Sequence, residues 1–246
     1  GEVLGQGASG VIYRGEWSST ETIAVAIKRF KGDITSDGLP IDEMHACIAA
    51  GAHPNLVRVL GKLAETDATG KGLVFSVIPP DYDNLGGPPD LDTCTRDTYS
   101  AGTAFSLPMV LKIAKGISSA IAHLHNRGII HGDLYAHNIL INAEGESFLG
   151  DFGAASFYDV TDRSTAQALE RLEVRAFGCL LEDLLDRCSE AESSPTASGL
   201  NATEKNAAVV VKLRQLQSEC MATEPQLRPL FSFICQHLAE IELAQS

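Results

Sequence analysis

His131-Gly132-Asp133-Leu134-Tyr135-Ala136-His137-Asn138, followed further on by Gly150-Asp151-Phe152-Gly153, is the stretch on which the reading of this chain turns. It sets out an acid, an amide five residues later, and a second acid ahead of Phe-Gly. Phosphoryl transfer asks for such a set: one carboxylate to take the proton of an acceptor hydroxyl, and two oxygen ligands for the metal on the phosphates.

Upstream, Gly5-Gln6-Gly7-Ala8-Ser9-Gly10, with Ile12 behind it, places glycines where a hairpin could bring its backbone against phosphates without intervening side chains. Alone, this is equally a turn and nothing more. Val25-Ala26-Ile27-Lys28 then ends an apolar strand on a lysine. By itself such a lysine snorkels to solvent. Glu43 falls on an expected helix before His53-Pro54-Asn55-Leu56, where it could face water as its neighbour Asp42 does.

The hydrophobic period changes along the chain. Val11-Ile12-Tyr13 and Ile23-Ala24-Val25-Ala26-Ile27 flank a polar turn and predict a hairpin, and residues 56–60 and 73–78 predict two more strands. Between them a helix is expected over residues 41–50, begun after Pro40 and stopped at Gly51. Residues 79–103 are rich in Pro, Gly, Asp and Thr and predict a hinge with an inserted loop. Beyond it Ser106 can cap a helix lined by Val110, Ile113, Ile117, Ile121 and Leu124 and ended by Gly128. Val174, Phe177, Leu181 and Leu184 predict a second helix, Val209, Leu213, Leu216 and Cys220 a third, and a last one follows Pro229. Residues 189–206 read as a polar link whose composition does not favour a helix. The expected fold is α+β and bilobal, one domain over 1–246: a small, mostly antiparallel β N-lobe with one helix (1–78), the hinge and loop (79–103), and a helical C-lobe (104–246).

With 246 residues and 44% apolar content the chain can bury a large core. Its net charge of −13 argues against a nucleic-acid backbone or an anionic membrane as partner. No run approaches about 18 uninterrupted apolar residues, so no membrane span is expected. Six scattered cysteines without a C-x-x-C pair fit reduced thiols and a cytoplasmic location better than a zinc site or a disulfide framework. Gly1 already lies inside a motif, so flanking domains are expected outside this sequence.

Taken together, these elements resemble a eukaryotic-type protein kinase domain over nearly the whole chain. Cys220 and Arg228-Pro229 resemble the C-lobe ending of tyrosine-kinase-like members, and residues 150–156 with the His-Gly-Asp loop resemble bacterial kinase domains fused to leucine-rich repeats. The resemblance implies ATP with Mg2+, or Mn2+ in its place, as cofactors and a protein of unknown identity as substrate. It makes Asp133 the group that orients or deprotonates the acceptor hydroxyl, and Asn138 and Asp151 the metal ligands. Lys28, paired with Glu43, would contact phosphates beneath Gly5, Gly7 and Gly10. Phe75 takes the gatekeeper position, Ser76, Val77 and Ile78 the hinge, and Ile12, Ala26 and Leu140 the walls around the purine. His131, Phe152, Cys47 and Val59 would stack into an apolar column between the lobes, although plain core packing accounts for them equally well.

Several positions depart from the family pattern. Gly132 replaces the arginine that reads an activation-loop phosphate in many relatives, so that route of switching on is expected to be absent. His137 stands where tyrosine-type members carry arginine, either as a charge near the transferred group or as a structural residue. Only residues 154–172 separate the magnesium loop from Glu173-Val174-Arg175-Ala176-Phe177-Gly178, and no Ala-Pro-Glu occurs, which leaves Arg228 without its usual partner. Glu173, in place of aspartate, would cap the catalytic loop with one extra methylene. Three readings follow: a serine/threonine or tyrosine protein kinase with a shortened activation segment, a small-molecule kinase, or a nucleotide-binding pseudokinase.

Overall fold

The computed structural model describes residues 1–7, 9–18, 21–31, 39–64, 71–189 and 200–243, without the side chains of residues 200–203. Five strands, β1 (Val3–Gln6), β2 (Gly10–Ser18), β3 (Thr22–Phe30), β4 (Val59–Lys62) and β5 (Gly72–Ser76), form one antiparallel sheet in the order β1-β2-β3-β5-β4. Ile12 pairs with Lys28 and Lys28 with Leu73, while Arg14 pairs with Ala26 and Ala26 with Phe75. Since paired residues and alternate residues share a face, Ile12, Arg14, Ala26, Lys28 and Phe75 all project to one side. The expected hairpin is β2–β3; two residues of its turn, 19 and 20, lie outside the described residues.

α1 (Pro40–Ala50) starts on proline, whose missing N–H costs nothing in a first turn. It buries Glu43, Met44 and Cys47 against the sheet side of the core. The strand expected at 56–60 lies further on, at β4. Leu56 instead bridges to Leu149, because its side chain is buried in the core between the lobes.

α2 (Leu107–His125) is the C-lobe axis. Ser106 caps it by accepting the Met109 N–H, and Val110, Ile113, Ile117, Ile121 and Leu124 are fully buried. At about 1.5–3 kcal/mol for each such side chain, that stripe alone anchors the lobe. By length and apolarity α2 could cross a bilayer, yet it packs inside the protein core. Short strands follow: β7 (Ile129–Ile130) pairs with β10 (Ser156–Phe157), and β8 (Ile139–Ile141) pairs with β9 (Ser147–Leu149) and with β6 (Asp83–Asn84) of the post-hinge stretch. These pairings hold the two loops of the opening stretch against one another.

Two expectations are corrected in the helices. α3 (Arg163–Asp186) begins ten residues ahead of Glu173, so much of the stretch read as a connecting segment is helix. Asp162 caps it by accepting the Thr165 N–H, and Ala166 carries the buried face forward to Glu173, Phe177 and Leu180. α4 (Leu200–Cys220) likewise starts inside the supposed polar link, of which 190–199 lie outside the described residues. α5 (Phe231–Leu243) closes the lobe on α2 with Phe231, Ile234, Leu238 and Ile241 buried.

Candidate active site

A cavity of about 670 Å³ opens between the sheet and the C-lobe. Ile12, Ala26, Phe75 and Leu140 line it beside the hinge residues Ser76, Val77 and Ile78, and Lys28, Glu43 and Asp151 line it as well. Lys28 and Glu43 form an ion pair buried on both sides. Removing one partner would leave the other as an uncompensated buried charge, which is strongly destabilising. The Lys28 ammonium also lies 5.3 Å from the centre of the Phe30 ring. Ser76 gives its N–H to the Arg58 carbonyl at 3.0 Å, which fixes the hinge strand. Cys47 lines the cavity too, but burial, with Glu43 adding to it, pushes its thiol far up and leaves it a neutral packing group.

Of the glycines expected at the phosphates, none is part of the cavity wall. A Cβ on Gly5 or Gly7 would meet nothing within 4 Å, so the hairpin leaves open space there; at Gly10 it would come within 2.3 Å of the Arg29 carbonyl oxygen, a requirement of sheet packing.

The catalytic loop is built from hydrogen bonds. Asn138 Nδ2 donates to Asp133 Oδ2 at 2.8 Å and to the Asp133 carbonyl at 3.0 Å. The bonded Nδ2 fixes the amide plane, and Asn138 Oδ1 is the atom it offers to a hard cation. Buried His131 faces the Gly150 carbonyl with Nε2 at 2.8 Å, so Nε2 carries the hydrogen and Nδ1 accepts from the Asp133 N–H at 3.4 Å. Through that one ring the loop bearing Asp133 is tied to the loop bearing Asp151. Asp151 sits at φ 47°, with Oδ1 accepting the Gly153 N–H at 3.2 Å. The Phe152 ring meets His131 edge-on at 5.1 Å, and half-buried Val59 packs on the same core as Cys47.

Gly132 is more than a missing arginine. It adopts φ 80°, and a Cβ there would lie 2.4 Å from the Ala154 carbonyl oxygen. Its N–H donates to Glu173 Oε1 at 2.8 Å, while Glu173 Oε2 pairs with His125 Nε2 at 2.7 Å. The longer carboxylate therefore still caps the loop, from a position fully inside α3. Arg228 finds its partners in carbonyls rather than in a glutamate: Ala222 at 2.8 Å, Arg171 at 3.0 Å and Thr223 at 3.4 Å. Arg171 returns the contact through Nε to the Arg228 carbonyl at 3.2 Å.

Four of the hydroxyls between Asp151 and Glu173 are committed to local structure. Tyr158 bonds Glu170 at 2.8 Å, Thr161 bonds Asp159 at 2.7 Å, and Ser164 and Thr165 bond Asp162, whose carboxyl they pull down to about 2. Sequence reading missed the cavity residues Leu4, Arg14, Val57, Pro79, Pro80 and Tyr82. It also missed Asp97, which holds His137 Nδ1 at 2.6 Å. Arg14 was within reach of the sequence, since it follows Ile12 at strand period 2.

Residues 1–193 match the family model described as protein tyrosine and serine/threonine kinase. The chain belongs to the protein kinase family. Among curated relatives, the kinase domain is 31% identical over 156 residues to "Cyclin-dependent kinase 11.1" of Caenorhabditis elegans, covering 62% of this chain and 20% of that protein. It is 29% identical over 192 residues to "Serine/threonine-protein kinase PITSLRE" of Drosophila melanogaster, covering 77% of this chain and 18% of that protein. The chain thus spans about a fifth of the length of the curated relatives it matches. Among the described residues no cluster of three His, Cys, Asp or Glu could hold a metal.

Proposed function

We propose that this kinase domain transfers the γ-phosphoryl group of ATP, with Mg2+, to serine or threonine hydroxyls of a protein, and that it does so without a phosphate-operated activation switch. The observation that carries the reading is the buried Lys28–Glu43 ion pair facing the same cavity as Asp151. Desolvating a charged pair is costly, and a site that retains one beside a second acid is suited to polyphosphate. The names of the relatives support serine/threonine over tyrosine. Six free thiols support a reducing, cytoplasmic setting.

Each residue has a task that its surroundings support. Ile12, Ala26 and Leu140 enclose an apolar ring, with the hinge backbone at its polar edge. Lys28, oriented by Glu43, neutralises phosphate oxygens. Asn138 and Asp151 would hold Mg2+, or Mn2+ in its place, which supplies charge neutralisation on the phosphates when bound. Asp133, with Oδ2 occupied by Asn138, presents Oδ1 to the acceptor hydroxyl and takes its proton.

A second reading, a nucleotide-binding module without transfer, draws on α3, whose early start at Arg163 leaves only a short run after Asp151-Phe152-Gly153. Radiolabel transfer from γ-labelled ATP to generic proteins and to small hydroxylated acceptors, run in parallel, separates the readings; no incorporation into either would end the first. Nucleotide with Mg2+ should raise the melting temperature, since binding at a hundredfold excess over Kd stabilises the fold by about 2.7 kcal/mol through mass action. Lys28→Met should lose that shift. No shift in the wild type, or an undiminished one in the variant, would remove the nucleotide site. Alanine at Thr161, Ser164 or Thr165 should leave turnover within about twofold, since each removes one exposed hydroxyl contact while Asp162 still caps α3 through the Thr165 N–H; a large fall in turnover would show a switch.

A further inference from the structure

The post-hinge stretch reaches back into the catalytic loop. Asp97 is buried, and its two oxygens serve consecutive residues: Oδ2 accepts the Ala136 N–H at 2.5 Å and Oδ1 holds His137 Nδ1 at 2.6 Å. Ala136–Asn138 is a single 3-10 turn, and its third residue is the amide that bonds Asp133. Asp97 therefore caps that turn from outside, taking an N–H that no helix carbonyl satisfies. Asn84 adds a second clamp, donating Nδ2 to the His137 carbonyl at 2.6 Å.

The clamp is itself braced. Arg96 spans to α3, donating to Glu182 at 2.6 Å, Asp183 at 2.7 Å and the Cys179 carbonyl at 3.2 Å. Tyr99 lies under the Arg187 guanidinium at 3.8 Å, and Thr98 exchanges backbone hydrogen bonds with Gly87 at 2.8 and 2.9 Å. A loop with no such duty would have no reason to bury an aspartate against a 3-10 turn, since an unpaired buried carboxylate is among the most costly groups in a fold.

We propose that Asp97 is a positioning residue that sets the 3-10 turn so that Asn138 meets the metal, and that His137 serves as Asp97's partner rather than as a free charge at the phosphoryl group. The proposal rests on the kinase reading for the identity of the metal and the nucleotide. Outer partners of metal ligands typically change affinity or activity by 10- to 100-fold when removed. Asp97→Asn keeps the shape but removes the charge and leaves one accepting oxygen for two N–H donors, so His137 must give up either its Nδ1 hydrogen or the contact.

The test is a Mg2+ titration of the melting shift produced by ATP, which needs no turnover, together with kcat and KM on a protein acceptor. Asp97→Asn should raise the Mg2+ midpoint about tenfold and lower kcat, with the KM for acceptor unchanged. His137→Ala, at a partly exposed position, should move the Mg2+ midpoint in the same direction by a smaller factor and covers the case in which Asp97→Asn does not fold. A folded Asp97→Asn or, failing that, a folded His137→Ala with the wild-type Mg2+ midpoint overturns the proposal. A wild-type protein that shows the Mg2+-dependent shift without transfer would sink the kinase reading and leave this one standing on the midpoints.

Discussion

Asp133→Asn is expected to lower transfer by about 10²- to 10⁴-fold, the range associated with a positioned general base, while nucleotide still binds. The substitution keeps the shape of the group and removes only its basicity. Asn138 Nδ2 can still find an oxygen at the 2.8 Å it now spans, so the turn holds and the metal side of the site is spared. Loss of rate with an intact nucleotide-induced melting shift is the expected pair of results, read from radiolabel incorporation and thermal melting of one preparation. A variant as active as the wild type would defeat the assignment of Asp133.

Gly132→Ala should be the most damaging conservative change in the C-lobe. A left-handed backbone costs about 1–2 kcal/mol with a Cβ present. Forcing an atom to 2.4 Å from the Ala154 carbonyl adds the penalty of overpacking, about 1–3 kcal/mol. Together the expected loss is roughly 2–5 kcal/mol, readable as a fall in denaturant midpoint, and movement of the loop should reduce transfer as well. Gly132→Arg should do no better, because the clash is at Cβ and not at the guanidinium. An alanine variant with unchanged midpoint would show that the two loops are not packed as described. The absent arginine is thus not a gap that a single substitution refills.

Much of the site was legible because its chemistry needs particular residue types at fixed separations. Asp133, Asn138 and Asp151 can be read without knowing any contact, and Lys28 is marked by the apolar run it follows within β3. Helix faces of α2 were equally plain, since five buried aliphatic residues repeat at the helical period. The start of α3 was hidden because its inner face passes through Ala166 and Glu173, a small residue and a charged one, where periodicity looks for aliphatic side chains. β7 and β10 are two residues each, shorter than any alternation can show. Asp97 was invisible for a different reason: in a loop full of aspartates, nothing in the sequence separates the buried one from Asp90 and Asp92, which are exposed.

α3 joins three separate parts of the kinase domain, with Arg171 on the segment around Arg228, Glu173 on the catalytic loop, and Glu182 with Asp183 on Arg96. Each residue along a helix advances about 1.5 Å and turns about 100°. One residue inserted or deleted between Glu173 and Glu182 would swing the later attachments to another side of the rod, so that no choice of side chains could satisfy both ends. Side chains along this helix are free to drift wherever they touch nothing, but its length between those attachments behaves as a fixed dimension, a ruler against which the catalytic loop and the post-hinge stretch are set.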